Sequence, residues 1–451
     1  MLLSVTPTNQ LSGTANIPSS KPETQRAILA AILANGTSYV YNDLRCLETT
    51  AMKNACRHFG AKITEKDGYL EIDGVGRALI PDEKIIDALG SGLVFRVFTA
   101  ISCFSKKPTI ITGDKILRTR IMSPLFNALN SLGAKIHCVV KDGNAPVVNW
   151  GGGFKGGECH IQGNLSSQFI TAILIAAPMA EEPTTIYIEG EILSVSYIKQ
   201  TIDTMTKAGI TIEVSEDFSK ITVYPGKYQA ITHKIVGDFT SSSYLIAASA
   251  IYEGRTVLCN MNSRSYQGER FIIDIVRTLG IKAVFDDEKN QLILENNGLI
   301  QGDYEFDASD YPNIVPTLAV LGAYVPGSFK VIGGSITRLH KSPRIKAIIS
   351  ELTKMGVDIK PIFKDNVYDG FEIKGKSHYS GGVTMESWGD HRIFMSLFVA
   401  SLRCDSPNSL DGYQDVHCSF PNFFEEFKNL GVHFHEKIDN DIIDKNVILV
   451  S

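Results

Sequence analysis

The sequence predicts an α/β protein built from six copies of one strand–helix–strand–helix–hairpin unit and large enough to form two domains. Three observations lead to this prediction. A glycine-terminated helix ending recurs six times, each ending is followed by a hairpin pattern, and the 451 residues exceed what one ordinary core holds.

The repeat is seen most clearly in the glycines that end six amphipathic segments. Examples are ALNSLGAKI at 128–136 and ELTKMGVDI at 351–359. The successive spacings are 73, 76, 71, 76 and 75 residues, which indicates a repeated structural unit. A helix C-terminus favours glycine because the following backbone turns left-handed. The six glycines are Gly60, Gly133, Gly209, Gly280, Gly356 and Gly431.

The other elements of each unit follow from hydrophobic periodicity. Apolar residues such as Ile345, Ile348 and Leu352 recur at helical spacing before the glycine. After the glycine come two alternating runs joined by a polar turn, as in ITIEVSEDFSKITVY, which is the pattern of a hairpin. About 45 residues before each glycine a more apolar helix begins, and we expect it to be buried except for its first turn.

Composition excludes several classes of function. The net charge of −5 and the lack of a basic stripe argue against nucleic-acid binding. The chain has neither a long apolar run nor a signal-like start, so we expect a cytoplasmic protein without a membrane partner. Its eight cysteines are scattered singly, so we expect no metal site. The glycine-rich GGGFKGG at 151–157 is interpreted as a hairpin turn.

Polar side chains concentrate in the first turns of the buried helices. Serine and aspartate are common N-caps there, and capping alone explains any one of them. Cations near a helix N-terminus oppose the helix dipole, however, so they indicate anionic ligands that offset this cost. The residues concerned are Lys21, Arg26, Ser91, Gly92, Arg96, Ser166, Ser167, Gln168, Asn313, Asp390, His391 and Arg392.

Several segments resemble the family of 5-enolpyruvylshikimate-3-phosphate synthases. GNLSSQFITAILIAAPMA at 163–180 is close to the family's phosphate-binding signature. LSGTANIPSSKPETQRAILAAILANGT, TGDKILRTR, GDHRIFMSLFVASL and SFPNFFEEFKNLG match in place and order. The related UDP-N-acetylglucosamine enolpyruvyl transferases fit less well, because their reactive loop cysteine has no counterpart in KKPTIITGDKILRTR. The resemblance covers the whole chain.

The resemblance implies the enolpyruvyl transferase fold. That fold has two inside-out α/β barrel domains, each of three repeats, which face each other across a cleft. We expect one domain to comprise 1–15 plus 238–451 with repeats 4–6, and the other 16–237 with repeats 1–3. The implied partners are two small molecules, shikimate 3-phosphate and phosphoenolpyruvate, with no cofactor, and we expect a monomer.

The resemblance also implies site residues. The catalytic group would be Lys21, Asn313 and His340. Shikimate 3-phosphate would be bound by Lys21, Arg26, Ser166, Ser167, Gln168, Ser194, Tyr197 and Asn313. Phosphoenolpyruvate would be bound by Lys21, Gly92, Arg120, Gln168, Arg344 and Arg392.

The chain departs from the family at several of these positions. Asn313 stands where the family has an aspartate that accepts the substrate's hydroxyl proton, and an amide is no base. His340 and Lys341 replace a lysine–glutamate pair, and Cys418 replaces a lysine that binds phosphoenolpyruvate. Three functions therefore stay open: a divergent transferase with His340 as substitute base, a lyase acting on a shikimate-like phosphorylated ring, and a non-catalytic binding protein.

Overall fold

The computed structural model describes residues 2–82, 85–140, 143–298, 300–438 and 441–442. The chain forms two compact units, Met1–Pro18 with Val236–Ser451, and Ser19–Ile235. Each unit has a hydrophobic core of its own. The domain boundaries expected from the sequence, at 15/16 and 237/238, stay a prediction.

The described residues contain twelve α-helices, a set of short 3₁₀ helices and 28 strands. The α-helices are α1 (Lys21–Leu33), α2 (Leu47–His58), α3 (Gly92–Ile101), α4 (Ser123–Ser131), α5 (Ser167–Ala176), α6 (Val195–Lys207), α7 (Phe239–Ala250), α8 (Ile272–Thr278), α9 (Val315–Ala323), α10 (Arg344–Lys354), α11 (His391–Ser401) and α12 (Phe423–Asn429). The 3₁₀ helices span Ser102–Phe104, Leu117–Thr119, Ala177–Met179, Gly268–Phe271, Pro312–Ile314, Ser335–Leu339 and Tyr413–Cys418.

The strands are short and alternate with the helices along the chain. They are β1 (Leu2–Val5), β2 (Gly13–Asn16), β3 (Ala34–Tyr41), β4 (Lys62–Lys66), β5 (Tyr69–Val75), β6 (Ile86–Asp87), β7 (Thr109–Thr112), β8 (Ile136–Cys138), β9 (Val147–Asn149), β10 (Gly157–Gln162), β11 (Thr184–Glu189), β12 (Ile212–Val214), β13 (Lys220–Val223), β14 (Tyr228–Gln229), β15 (Thr232–Lys234), β16 (Gly254–Cys259), β17 (Lys282–Asp286), β18 (Gln291–Asn296), β19 (Tyr304–Asp307), β20 (Gly327–Ile332), β21 (Asp358–Lys364), β22 (Val367–Gly375), β23 (Tyr379–Gly381), β24 (Thr384–Met385), β25 (Cys404–Ser406), β26 (Asn408–Leu410), β27 (Phe434–Ile438) and β28 (Asp441–Ile442).

Each unit contains three sheets with closely related pairing. In the Ser19–Ile235 unit the orders are β6-β7-β9-β8, β10-β11-β13-β12 and β14-β3-β5-β4, with β15 also on β3. The first pair in each sheet is parallel and the next pairs are antiparallel, as in β10, β11 and β13. Parallel neighbours need a crossover connection, which α3 supplies between β6 and β7 and α5 between β10 and β11, whereas β14 joins β3 from the far end of the unit.

The other unit uses the chain's N-terminus to complete its sheets. Its orders are β2-β16-β18-β17, β19-β20-β22-β21 and β24-β26-β1-β27-β28, beside a small β23-β25 pair. Strand β2 is parallel to β16, and β1 lies antiparallel between β26 and β27. The first strands therefore fold with the second half of the chain.

One helix of each repeat is buried almost throughout. Helix α1 is buried from Thr24 to Leu33, and every residue of α3, α7 and α11 is buried. A helix with apolar residues all round is a core helix, because no face of it suits water. Among these four helices, only α1 has the partly exposed first turn that the sequence predicts, because the first turns of α3, α7 and α11 are buried as well.

The six repeated glycines all have left-handed backbones, with φ between 82° and 104°. In the repeat around Gly356, the glycine N–H bonds to the Thr353 carbonyl and the Val357 N–H to the Leu352 carbonyl. This Schellman-type ending explains the periodic glycine in the sequence. The interpretation of GGGFKGG as a hairpin turn is wrong: it joins β9 to β10, which lie in different sheets. Within the described residues, no helix is long and apolar enough to cross a bilayer.

Candidate active site

Helix α1 begins with a cation that is held by an ion pair. Ser20 caps the helix by accepting from the Glu23 N–H, and Pro22 occupies its first turn. Lys21 Nζ lies 2.8 Å from Glu48 Oε1 on α2, and both side chains are partly exposed. Lys21, one of the predicted catalytic residues, is therefore held in place but partly accessible at the start of a buried helix.

Arg26 is buried inside the Ser19–Ile235 unit and connects three helices. Its guanidinium donates to Thr201 Oγ1 at 2.9 Å, to the Pro22 carbonyl at 3.0 Å, and to Thr171 Oγ1 and the Tyr197 carbonyl. Burial lowers the pKa of Arg26 to about 10, against the opposing effects of Tyr197 and Glu23, so the group stays charged near pH 7. Four of the five N–H groups an arginine carries are thus used internally.

A second arginine cluster surrounds Gly92 at the start of α3. A Cβ added to Gly92 would lie 2.9 Å from Arg96 Nη1 and 3.2 Å from both Arg120 Nη1 and Gln168 Oε1. Arg96 donates to the Gln168 carbonyl oxygen and stacks 4.9 Å from the Phe169 ring centre. A side chain at position 92 would displace the guanidinium groups from the space that they share.

The charge of this cluster is not balanced at Arg96. Burial, and then the neighbouring Arg120, lower the pKa of Arg96 to about 9. Its buried Nε has no hydrogen-bond acceptor among the described residues. Two like charges brought together at a cost are the arrangement that a phosphate or carboxylate stabilises by charge-assisted hydrogen bonds.

The predicted serines lie at helix starts in the same unit. Ser166 caps α5 by accepting from the Gln168 N–H at 3.3 Å, and Ser167 is the first residue of that helix. Ser194 precedes α6 with a left-handed backbone, φ 60°, and makes no cap bond with its side chain. A non-glycine residue held there is strained, which is typical of functional sites. The Tyr197 ring lies 5.8 Å from the Arg26 guanidinium carbon.

In the other unit, Asn313 connects a buried carboxylate to an arginine. Its amide N–H donates to Glu269 Oε1 at 3.1 Å, and its carbonyl accepts from Arg344 Nη1 at 2.9 Å. The same Arg344 Nη1 lies 2.9 Å from His340 Nδ1. An arginine can only donate, so Nδ1 is the unprotonated ring nitrogen. Protonating it would place two cations in contact, which weakens the expectation that His340 is the base.

Asp390 holds this cluster together from the start of α11. It is fully buried, accepts from Arg344 Nε at 2.8 Å, from Ser342 Oγ and from the Arg392 N–H, and faces His391. Burial alone would raise the pKa of Asp390, but Arg344, His391 and the hydrogen bonds lower it more, so its pKa lies well below the usual range. The same carboxylate therefore orients the Arg344 guanidinium and caps the helix at the backbone of Arg392.

The structure thus brings the expected residues into two sets, one in each unit. Sequence reasoning missed Glu269 and assigned no role to Lys341, whose Nζ lies 4.0 Å from Cys418 Sγ. Glu269 stands in QGERF before an apolar helix, where an acidic residue only suggests a partner for the helix dipole. No local pattern indicates its contact with Asn313, 44 residues away.

Comparisons with known proteins identify the family of this chain. The family model described as EPSP synthase (3-phosphoshikimate 1-carboxyvinyltransferase) matches residues 5–427. A curated 3-phosphoshikimate 1-carboxyvinyltransferase from Methanosarcina acetivorans is 36% identical over 94% of this chain and 96% of its own length. One from Methanocaldococcus jannaschii is 35% identical over 97% and 100%.

Two solved structures have a similar fold. EPSP synthase from Acinetobacter baumannii has a TM-score of 0.81 at 24% identity, covering 96% of this chain and all of that one. The enolpyruvyl transferase NikO from Streptomyces tendae has a TM-score of 0.76 at 14% identity, covering 96% and 98%. The predicted fold class is confirmed, and the chain belongs to the EPSP synthase (3-phosphoshikimate 1-carboxyvinyltransferase) family of transferases.

Proposed function

We propose that this protein transfers the enolpyruvyl group of phosphoenolpyruvate to shikimate 3-phosphate and releases phosphate. The acceptor's hydroxyl oxygen forms a bond to C2 of phosphoenolpyruvate, the bond from C2 to the phosphate oxygen breaks, and the hydroxyl proton ends on the released phosphate. The observation that carries the proposal is the cluster of Arg96, Arg120 and Gln168 around Gly92, because two buried guanidinium groups that share one space suit an anion and the buried Nε of Arg96 has no acceptor among the described residues.

The proposed binding residues form one set for each substrate, and Lys21 and Gln168 belong to both sets. Shikimate 3-phosphate is bound by Lys21, Arg26, Ser166, Ser167, Gln168, Ser194, Tyr197 and Asn313. Phosphoenolpyruvate is bound by Lys21, Gly92, Arg120, Gln168, Arg344 and Arg392. Only one Arg26 N–H is left for a ligand, so Arg26 makes at most a single hydrogen bond to a carboxylate.

Lys21 transfers protons in this proposal. Its ammonium is accessible and is oriented by Glu48 at 2.8 Å, which suits an acid that must return to the same place after each turnover. His340 was expected as a substitute base, but its Nδ1 already accepts from Arg344. Asn313 positions the acceptor hydroxyl without taking its proton, since an amide has no basic site.

A lyase or a non-catalytic binding protein is the second candidate, and the amide at position 313 favours it. Phosphate release measured with shikimate 3-phosphate, with and without phosphoenolpyruvate, separates the functions. Release that requires both substrates supports transfer, and release from shikimate 3-phosphate alone supports a lyase. Binding without turnover supports a binding protein. We further propose that the protein is a monomer, which sedimentation analysis tests. We also propose that it is cytoplasmic, which cell fractionation tests.

A further inference from the structure

Lys341 and Cys418 lie side by side although 77 residues separate them. Lys341 follows the 3₁₀ helix Ser335–Leu339, Cys418 ends the 3₁₀ helix Tyr413–Cys418, and Nζ lies 4.0 Å from Sγ. Within the part of the chain that the structure describes, no carboxylate forms an ion pair with Lys341. A cysteine sulfur is a weak acceptor and offsets little of an ammonium charge.

The surroundings of Lys341 contain further positive charge. Its chain neighbour His340 contacts the guanidinium of Arg344. Asp390 compensates Arg344 at 2.8 Å, but no described carboxylate forms such a pair with Lys341. Lys341 is also half-buried, so its ammonium is partly desolvated at a cost that an anionic ligand would offset.

We propose that Lys341 binds the anionic end of phosphoenolpyruvate, an inference that rests on the proposed function. The resemblance to the family places a lysine at position 418 and a glutamate at position 341. Here the lysine stands at 341 and a neutral residue at 418, and the 4.0 Å contact puts the two positions within one side-chain length. The flexible four-carbon stem of a lysine presents its ammonium at nearly the same place from either backbone position.

Steady-state kinetics of Lys341→Met tests the proposal, with Lys346→Met as the matched control because Lys346 is exposed on α10. Loss of one charged hydrogen bond should raise KM for phosphoenolpyruvate about 10- to 150-fold. KM for shikimate 3-phosphate should change by less than about 2-fold, because that substrate does not meet Lys341. The control should match the wild type.

A charge exchange gives a second, independent measurement. Lys341→Glu alone should lose at least as much affinity for phosphoenolpyruvate as Lys341→Met. Lys341→Glu combined with Cys418→Lys should recover most of it, since the ammonium returns beside the same site. An unchanged KM for phosphoenolpyruvate in Lys341→Met, or a double variant no better than Lys341→Glu, would overturn the inference while leaving the transferase function standing.

A wild-type protein without turnover would contradict the proposed function instead. Titration calorimetry of phosphoenolpyruvate into protein saturated with shikimate 3-phosphate then decides the role of Lys341. Tighter binding by the wild type than by Lys341→Met supports the lysine as a ligand-binding residue. Equal affinity, or no binding of phosphoenolpyruvate at all, overturns it.

Discussion

Arg96 and Arg344 are both buried arginines near the starts of helices, but of the two only Arg344 is held by a carboxylate from the described part of the chain. Arg344 donates to Asp390 at 2.8 Å and to the Asn313 amide at 2.9 Å. Arg96 has the Gln168 amide, the Phe169 ring and a second arginine as neighbours. The charge of Arg344 is compensated within the fold, whereas the charge of Arg96 is available to an anionic ligand.

The difference separates two ways of preparing an anion site. An arginine anchored by a buried carboxylate is oriented in advance, but removing either partner leaves a buried charge alone. An arginine without a carboxylate destabilises the fold until a ligand binds, which is the usual compromise between stability and function. We therefore expect mutations in the Asp390 cluster to affect stability first, and mutations in the Gly92 cluster to affect binding first.

The largest effect is expected for Asp390→Asn. The variant leaves the Arg344 guanidinium buried without its counter-charge, which should lower the free energy of unfolding by about 3–5 kcal/mol. Urea denaturation measures this. Asp274→Asn is the matched control, because Asp274 forms an exposed pair with Arg277 at 3.4 Å and should cost less than about 1 kcal/mol.

The pH dependence of stability checks the same prediction. The folded-state pKa of Asp390 lies below the unfolded value of about 3.9, so its contribution is present above about pH 4 and is lost as the pH falls. The wild type and Asp390→Asn should therefore approach each other in stability in acid. A difference that stays constant from pH 7 to pH 3 would contradict the role given to this ion pair.

The next largest effect is expected for Arg96→Met, and here on binding. Loss of one charged donor should weaken binding of the anionic substrates by about 10- to 150-fold. The pKa of Arg96 is lowered to about 9, which means that folding disfavours its charged form, so the melting temperature should stay the same or rise. Arg344→Met is the matched change in the other unit and should lower the melting temperature. If both variants melt alike, the contrast between the two clusters is wrong.

The sequence predicted the repeats well and the contacts of the site only in part. The glycine positions and the starts of the buried helices follow from local backbone preferences, and the structure begins α1, α3, α5 and α11 within those predicted segments. Capping is also local, and Ser20, Ser91, Ser166 and Asp390 each accept a backbone N–H. The structure thus confirms capping at these helices, and capping and ligand binding are compatible there.

Contacts between distant segments could not be predicted in this way. The GGGFKGG segment was misinterpreted because glycines allow a turn without specifying which sheet the next strand joins. Glu269 meets Asn313, and Lys341 meets Cys418, only after several repeats have packed together. The resemblance to the family identified positions 313, 341 and 418 as altered. It did not indicate that Asn313 contacts Glu269 and Arg344, or that Cys418 contacts Lys341.

Asn313→Asp should raise turnover by about 10-fold, within the range of general-base catalysis. The new carboxylate would lie about 3 Å from Glu269, where the amide now donates at 3.1 Å. Two carboxylates so close titrate as a coupled pair with one raised pKa, so the gain should grow with pH. A pH–rate profile of both proteins measures it. His340→Gln, which keeps an acceptor for Arg344, should leave the profile unchanged.

A rate that is flat at every pH, with both substrates still bound, would show that Asn313→Asp has not restored proton transfer. A fall in turnover in His340→Gln would return the role of base to His340, against the geometry of its Nδ1. If neither variant alters turnover, the transferase reaction must take its base from elsewhere, and the lyase function gains support.

The smallest effects are expected for Ser166 and Ser167, two adjacent serines in the same unit as Gly92. Ser166 Oγ accepts from the Gln168 N–H at 3.3 Å, so Ser166→Ala should cost about 1 kcal/mol of stability as a lost N-cap. Ser167 Oγ makes no hydrogen bond to any other part of the chain that the structure describes. Ser167→Ala should therefore leave stability unchanged. It should weaken the binding of shikimate 3-phosphate by about 5-fold, which corresponds to the loss of one net hydrogen bond. Thermal melts and calorimetry on both variants separate the roles. Unchanged affinity in Ser167→Ala would sink its assignment as a phosphate ligand, and a fall in its melting temperature equal to that of Ser166→Ala would mean that both serines only support the helix.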